Sequence, residues 1–126
     1  MGRTMTSTRE VLDHHLKCLA AGDLEGIVTD YASDAVLITP PGFFAADGIL
    51  RGPAGAAEGF RSLLDEFGKP GASFEIKETV VDGDYAYIVW RADTPTHLFD
   101  FGSDTFVIRN GKIVAQTFAG KIARKA

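Results

Sequence analysis

With one cysteine in 126 residues, the chain forms no intramolecular disulfide and no thiolate metal cluster. That residue, Cys18, sits in a helical apolar stripe and reads as a small buried hydrophobe rather than a nucleophile. Positive charge is also scarce. Thirteen Lys and Arg stand against 17 Asp and Glu, for a net charge of −4, which disfavours nucleic-acid binding by phosphate neutralisation. The late basic group, Lys121, Arg124 and Lys125, reads as a solvated tail. No run approaches the roughly 18 apolar residues of a membrane span. The first eight residues lack the apolar core of a signal peptide, so the expected location is cytoplasmic. A Gly-rich phosphate loop, a Gly-x-Ser-x-Gly elbow and a dinucleotide fingerprint are all missing. Pro53-Ala54-Gly55-Ala56-Ala57 opens a helix but has no Lys, Ser or Thr at the offset phosphate binding needs. His14 and His15 point about 100° apart on a helix and cannot share an ion. No metal and no other cofactor is therefore expected.

What is present is a core. The chain is 45% hydrophobic and 24% charged, with nine Phe, three Tyr and one Trp, enough for one globular domain over residues 1–126. Ser7-Thr8-Arg9-Glu10 has capping-box spacing, and Gly22 is a stop for the helix that follows it. Val11, Leu12, Leu16, Cys18 and Leu19 fall on one face of that helix. Asp23 caps a second helix whose stripe, Leu24, Ile27 and Val28, ends in Tyr31. Residues 35–39 form a short β-prone run stopped by Pro40-Pro41, and a loop follows over residues 42–52. Gly52-Pro53 opens a third helix with Ala57, Phe60, Leu64 and Phe67 as its apolar face. Four strands follow over residues 74–81, 85–93, 98–108 and 112–119, with Asn110-Gly111 as the strongest hairpin signal. Helices on one face of an antiparallel sheet make an α+β domain. The late strands are apolar on both faces, and three short helices cover only one. A second copy of the chain is the expected cover for the other, giving a homodimer through the outer sheet face.

Three polar residues fall where the pattern predicts burial: His15 in the first helix stripe, Tyr31 at the end of the second, and Asp104 in mid-strand. Buried polar groups are costly unless paired. Convergence of the three at the bottom of an apolar hollow would make a ligand site. The bland readings are a satisfied core histidine, a structural tyrosine, and an Asp104 turned to solvent. Gln116 and Phe118 share a face of the last strand and are pocket candidates. Trp90 faces either the pocket or a dimer partner, depending on the register around Pro95, because a one-residue slip turns every side chain over. Arg91 and Asp93 read as a surface pair, and His97 as a turn residue.

The order of elements and several strings resemble the SnoaL-like, bacterial branch of the nuclear transport factor 2 superfamily. Residues 21–36 (Ala-Gly-Asp-Leu-Glu-Gly-Ile-Val-Thr-Asp-Tyr-Ala-Ser-Asp-Ala-Val) resemble its second-helix signature. Leu50-Arg51-Gly52 is similar to its lead-in to the third helix, and residues 104–113 to its last hairpin. The resemblance implies a cone: three N-terminal helices packed on a curved, mostly antiparallel sheet, with a pocket between them. It is specific for fold and weak for function, since the superfamily hosts isomerases, cyclases, dehydratases, epoxide hydrolases and non-catalytic binders. Compared with its ketosteroid isomerases, His15 stands at the oxyanion tyrosine, seven residues before Gly22, and Asp104 resembles the protonated aspartate. Tyr31 matches a supporting tyrosine, and Phe60 replaces another. Thr39 stands where the general-base aspartate belongs, which excludes that activity as such. Arg91-Ala92-Asp93 resembles part of the limonene epoxide hydrolase site, but Phe118 falls on its last aspartate. Scytalone dehydratases need a His pair and an aspartate, for which only His97 and Asp104 are present.

The expectation is thus a protein for a small, mostly apolar organic molecule, with proton transfer as its chemistry: isomerisation, cyclisation or dehydration. Asp104 would be the acid/base or a protonated donor, His15 its partner, and Tyr31 the group that orients them. Phe43 and Phe44 would form a lid, with Leu19, Thr39, Phe60 and Leu64 lining the helix side of the pocket. Trp90, Phe106, Gln116 and Phe118 would line the sheet side. The alternatives are a non-catalytic binding or accessory domain with the same pocket, and a purely structural dimerisation module. No nucleic acid or membrane partner is expected.

Overall fold

The computed structural model describes residues 7–126; the polar stretch before Ser7, read above as lacking a signal peptide, lies outside the described residues. Helix α1 spans Thr8–Ala21. The Ser7 hydroxyl accepts from the Glu10 amide at 3.0 Å, and Gly22 closes the helix at φ 70°, in the left-handed region. Val11, Leu12, His15 and Cys18 form its buried stripe.

Helix α2 is shorter than the periodicity suggests. It covers Leu24–Val28, and Tyr31 is not its last residue but the first of strand β1, Tyr31–Ile38. The Thr29 hydroxyl donates to the Gly26 carbonyl at 2.7 Å. One residue on, the Asp30 carbonyl accepts from the Ile113 amide at 2.7 Å, so the sheet captures the chain where a helix would have continued. The burial of Tyr31 is therefore that of an inward strand position. The run expected to begin at residue 35 is longer, and the loop after it holds strand β2, Ile49–Arg51, paired with Val36–Ile38.

Helix α3 spans Gly52–Phe67, with Pro53 in its first turn. Its buried face is Ala56, Gly59 and Phe60, rotated from the expected Ala57–Phe60–Leu64 line. Strands β3 (Ser73–Asp82), β4 (Tyr85–Asp93), β5 (His97–Arg109) and β6 (Lys112–Arg124) complete a sheet of order β2-β1-β6-β5-β4-β3. All pairings are antiparallel except β1 with β6. Asn110 and Gly111 take φ 52° and 76°, the left-handed pair that a two-residue hairpin turn requires. Register shifts fall between Ile76 and Glu78, Trp90 and Ala92, and Phe99 and Phe101 on neighbouring strands. Bulges so placed bend the sheet, and the helices pack in its concave side. The architecture is the α+β cone of three helices on a curved, mostly antiparallel sheet.

The C-terminal end of α3 is tied to the β4–β5 turn by Glu66. Its carboxylate accepts from Lys69 Nζ at 2.6 Å, the Thr94 hydroxyl at 2.5 Å, the Thr96 hydroxyl, and His97 Nδ1 at 3.1 Å. Partial burial acts to raise the carboxyl, but these donors outweigh it and hold it at about 2 against an ordinary 4.5. A depressed carboxyl stabilises the fold above its unfolded value, and that stability drains as pH falls from 4.5 towards 2. Glu66→Gln is expected to cost about 1–3 kcal/mol at neutral pH and to flatten the acid limb of the stability curve. Urea melts at pH 7, 4 and 2.5 check this; parallel curves for both proteins would refute it.

Candidate functional site

A cavity of about 60 Å³ lies between α1, α3 and the concave side of the sheet. Its walls are apolar: Leu16 and Leu19 from α1, Phe60 and Leu63 from α3, Leu37 from β1. Three buried polar side chains, His15, Asp104 and Gln116, reach it. The register explains why the sheet delivers them together. Ile88 pairs with Asp104 and Asp104 with Phe118, while Phe106 pairs with Gln116. Inward positions alternate along each strand, so Trp90, Asp104, Phe106, Gln116 and Phe118 share the concave face.

Asp104 is the hub of a buried chain. Trp90 Nε1 donates to Oδ1 at 2.7 Å, and Gln116 Nε2 donates to Oδ2 at 2.8 Å. The Tyr31 hydroxyl in turn donates to Gln116 Oε1. Burial pushes the Asp104 carboxyl up from its ordinary range, against the pull of the Trp90 and Gln116 bonds and the nearby His15. Burial likewise pushes the Tyr31 phenol well up, with the charges of Asp104 and Asp30 adding to it. Tyr31 therefore acts as a donor here, never as a phenolate.

His15 is 2% exposed and is held edge-on by Phe60, Phe106 and Tyr31, with ring centroids 5.3, 5.5 and 5.9 Å away. Its Nδ1 sits 3.6 Å from Asp30 Oδ2, beyond hydrogen-bond length, and both atoms are buried without a hydrogen-bond partner. The other Asp30 oxygen bonds His14 Nδ1 at 2.7 Å. His14 and His15 thus share a carboxylate. His15 and Asp104 line one cavity, and no hydrogen bond joins them among the described residues.

Sequence reasoning missed Asp30, which is 1% exposed. The signal becomes visible only once α2 is known to stop at Val28, because Asp30 then occupies the buried junction before β1. Cys18 also gains neighbours. Its Sγ lies 3.5 Å from His14 Nε2, which completes a Cys–His–Asp series with Asp30. The thiol is nevertheless 6% exposed, and burial pushes it up, with Asp23 and Asp30 adding to the effect. A thiol held protonated and away from the cavity is a packing residue, not a nucleophile.

Of the other residues named from sequence, Leu19, Thr39, Phe44, Phe60, Trp90, Phe106, Gln116 and Phe118 line this cavity. Leu63 lines it where Leu64 was expected; Leu64 packs on the core instead. Phe43 faces a neighbouring hollow. Trp90 stacks on Phe118 at 5.6 Å, which settles its direction inward. Arg91 reaches Asp100 at 3.8 Å and Asp93 bonds Lys125, while the Arg91 charge also acts on Asp93. His97 is not a turn residue but begins β5. Among the described residues, no three His, Cys, Asp or Glu side chains are grouped as metal ligands would be.

A family model described as a SnoaL-like domain matches residues 12–116. Among solved structures, an NTF2-like protein of unknown function from Mesorhizobium loti is 24% identical, with 90% of each chain covered and a TM-score of 0.71. The epoxide hydrolase/cyclase-like enzyme SalBIII, of pyran ring formation in the polyether salinomycin, is 18% identical over 94% of this chain and 95% of its own, with a TM-score of 0.73. TerC, co-crystallised with polyporic acid, is 18% identical over 90% of this chain and 91% of its own, also with a TM-score of 0.73. At these identities the likeness shows the fold alone. No curated protein matches the chain.

Proposed function

We propose that this chain, which belongs to the SnoaL-like domain family, binds a small, mostly apolar molecule bearing a carbonyl or hydroxyl and moves a proton on it. One observation carries the reading: an imidazole and a carboxyl whose proton burial makes harder to lose reach the same apolar cavity. A neutral Asp104 donates to a ligand oxygen while Trp90 and Gln116 hold its two oxygens. The Asp30 carboxylate behind His15 favours the tautomer with the proton on Nδ1, leaving the Nε2 lone pair as the base. A shift of roughly 0.6 Å closes that Nδ1–Oδ2 gap to hydrogen-bond length, as such contacts do on ligand binding. Tyr31 fixes Gln116 and through it Asp104. SalBIII, an enzyme of pyran ring formation, and TerC, co-crystallised with polyporic acid, are in keeping with such a ligand.

A second reading, a binder without turnover, is favoured by Thr39. The end of β1 offers no carboxylate there, and the Thr39 hydroxyl is committed to the Gly48 carbonyl at 2.8 Å. Two bicyclic probes separate the readings. 1-Tetralone, a ketone, is expected to bind about tenfold tighter than naphthalene, and His15→Phe or Asp104→Asn should erase that difference while leaving naphthalene unchanged. Catalysis predicts exchange of the tetralone α-protons in D2O, seen by NMR and lost in His15→Phe; retention without exchange marks a binder. Equal affinity for both probes in every variant defeats both readings.

The reading includes a homodimer, acting in the cytoplasm with no nucleic acid or membrane partner. No helix among the described residues is long and apolar enough to cross a membrane. The convex side of the sheet exposes Val80, Tyr85, Tyr87 and Phe101, each at least 36% accessible, and the strand pairing puts them on one face. A second copy with the same face satisfies that surface. Light scattering is expected to give twice 13.5 kDa, and the pair Tyr87→Arg with Phe101→Arg a single 13.5 kDa. A native chain at the single mass contradicts it.

A further inference from the structure

A second hollow, of about 140 Å³, adjoins the first. Both are lined by Phe44 and Leu63, so these two residues stand where the hollows meet. Phe44 is half-buried and rests edge-on against Phe43, at 4.5 Å between centroids, and Phe118, at 6.2 Å. It is a rotatable ring on a connecting loop. The second hollow is not apolar throughout. Phe99 lines it, and Glu66 and His97 lie on its wall.

The Glu66 carboxylate accepts from its neighbours, so His97 Nδ1, 3.1 Å from Oε1, carries its proton towards that oxygen. The Nε2 of His97 makes no hydrogen bond among the described residues. In the neutral ring that nitrogen is a lone-pair acceptor on the wall of a hollow. The imidazole is thus oriented by a carboxylate, as His15 is backed by Asp30 at the other end. The mechanism proposed for the first cavity leaves this second pair unused.

We propose that the two hollows form one elongated site, parted by Phe44, and that its ligand is a rod-shaped aromatic molecule with a hydroxyl at its far end donating to His97 Nε2. This rests on the reading of the first cavity as a ligand site. The first cavity alone is about 60 Å³ and the second about 140 Å³, so the joined hollows give length for two linked rings that neither gives by itself.

The test uses naphthalene, 4-hydroxybiphenyl and 4,4′-dihydroxybiphenyl, with affinities from calorimetry. The dihydroxy probe, whose second hydroxyl reaches the far end, is expected to bind at least fivefold tighter than the monohydroxy probe to the native chain. His97→Phe should remove that advantage without changing the affinity for naphthalene. Ser62→Trp, at an exposed residue lining only the second hollow, should weaken both biphenyl probes and spare naphthalene. If naphthalene binds but His97→Phe leaves the dihydroxy probe unaffected, or that probe has no advantage in the native chain, the elongated site is wrong and the first cavity stands. If naphthalene does not bind, both fall.

Discussion

Asp104→Ala is expected to destabilise the chain by about 2–5 kcal/mol, because it strands two buried donors at once. Trp90 Nε1 and Gln116 Nε2 each point at a carboxyl oxygen, and both residues are buried. Each unsatisfied donor costs about 1–3 kcal/mol, in a domain whose whole stability is of order 5–15. Asp104→Asn is the informative companion. Its oxygen still accepts from Trp90, and its amide can donate to Gln116 if Gln116 turns over. The turned Gln116 then donates to the Tyr31 oxygen, reversing the direction of the chain. The Tyr31 proton is then the one donor left without its acceptor, so the expected cost is about 1–3 kcal/mol, below that of Asp104→Ala, with the proposed ligand recognition lost all the same. pH separates the two further. A carboxyl raised in the fold stabilises it below its unfolded value of 3.8, and that contribution is lost as pH rises through the raised value. Asp104→Asn should therefore gain on the native chain between pH 4 and pH 8. Denaturant midpoints at unchanged slope measure all of this, and an Ala variant as stable as the Asn variant would show that the donors are satisfied elsewhere.

Gly102→Ala should be nearly as damaging, by about 3 kcal/mol, although it adds one methyl group. Gly102 pairs with Trp90 across β4 and β5, and the indole lies flat on its backbone. A Cβ there would stand 2.5, 2.7 and 2.8 Å from three indole carbons. Apart from the side that faces the cavity, the ring is hemmed in. Phe74, Phe118, Phe99 and Phe67 surround it at 5.3, 5.6, 5.7 and 6.0 Å. Displacing it also draws Nε1 away from Asp104, so packing and polar losses coincide. Trp90 is the sole tryptophan, so its emission reports the site directly. The expected result is a red-shifted spectrum together with a lower melting temperature. An unshifted spectrum in a fully stable Gly102→Ala variant would mean that the ring does not lie there.

These two residues show what local pattern conveys and what it does not. Asp104 was legible because a carboxylate between apolar strand positions is anomalous on its face. His15 was legible for the same reason on a helix, as were the Ser7 cap and the Asn110-Gly111 turn. Gly102 was not, since a glycine carries no hydrophobic weight and its meaning lies in the ring across from it. Ala56 and Gly59 misled in the same way: they lie at the centre of the buried face of α3, and a search for large apolar residues places that face one position away. Tyr31 was assigned the right burial and the wrong element, because spacing by seven fits a helix whether or not the sheet intervenes. Asp30 needed the meeting of α1 with the α2–β1 junction, which no short window contains. The direction of Trp90 follows the plain alternation of β4, in which Ala86, Ile88, Trp90 and Ala92 are buried; the extra residue at the neighbouring register shift lies on β5 and leaves Trp90 facing inward.

The parallel pairing of β1 with β6 has a consequence for synthesis. Tyr31 meets Ile113, and Leu37 meets Gln116, so the first strand stays unpaired on that side until the last one has left the ribosome. Gln116, which joins Tyr31 to Asp104, arrives with it. Contacts this distant along the chain make for slow assembly. A nascent chain ending before residue 112 has both the imidazole and the carboxyl yet lacks the strand that brings their surroundings together. The buried Tyr31–Gln116–Asp104 chain is thus a late product of folding, complete only once β6 has joined β1.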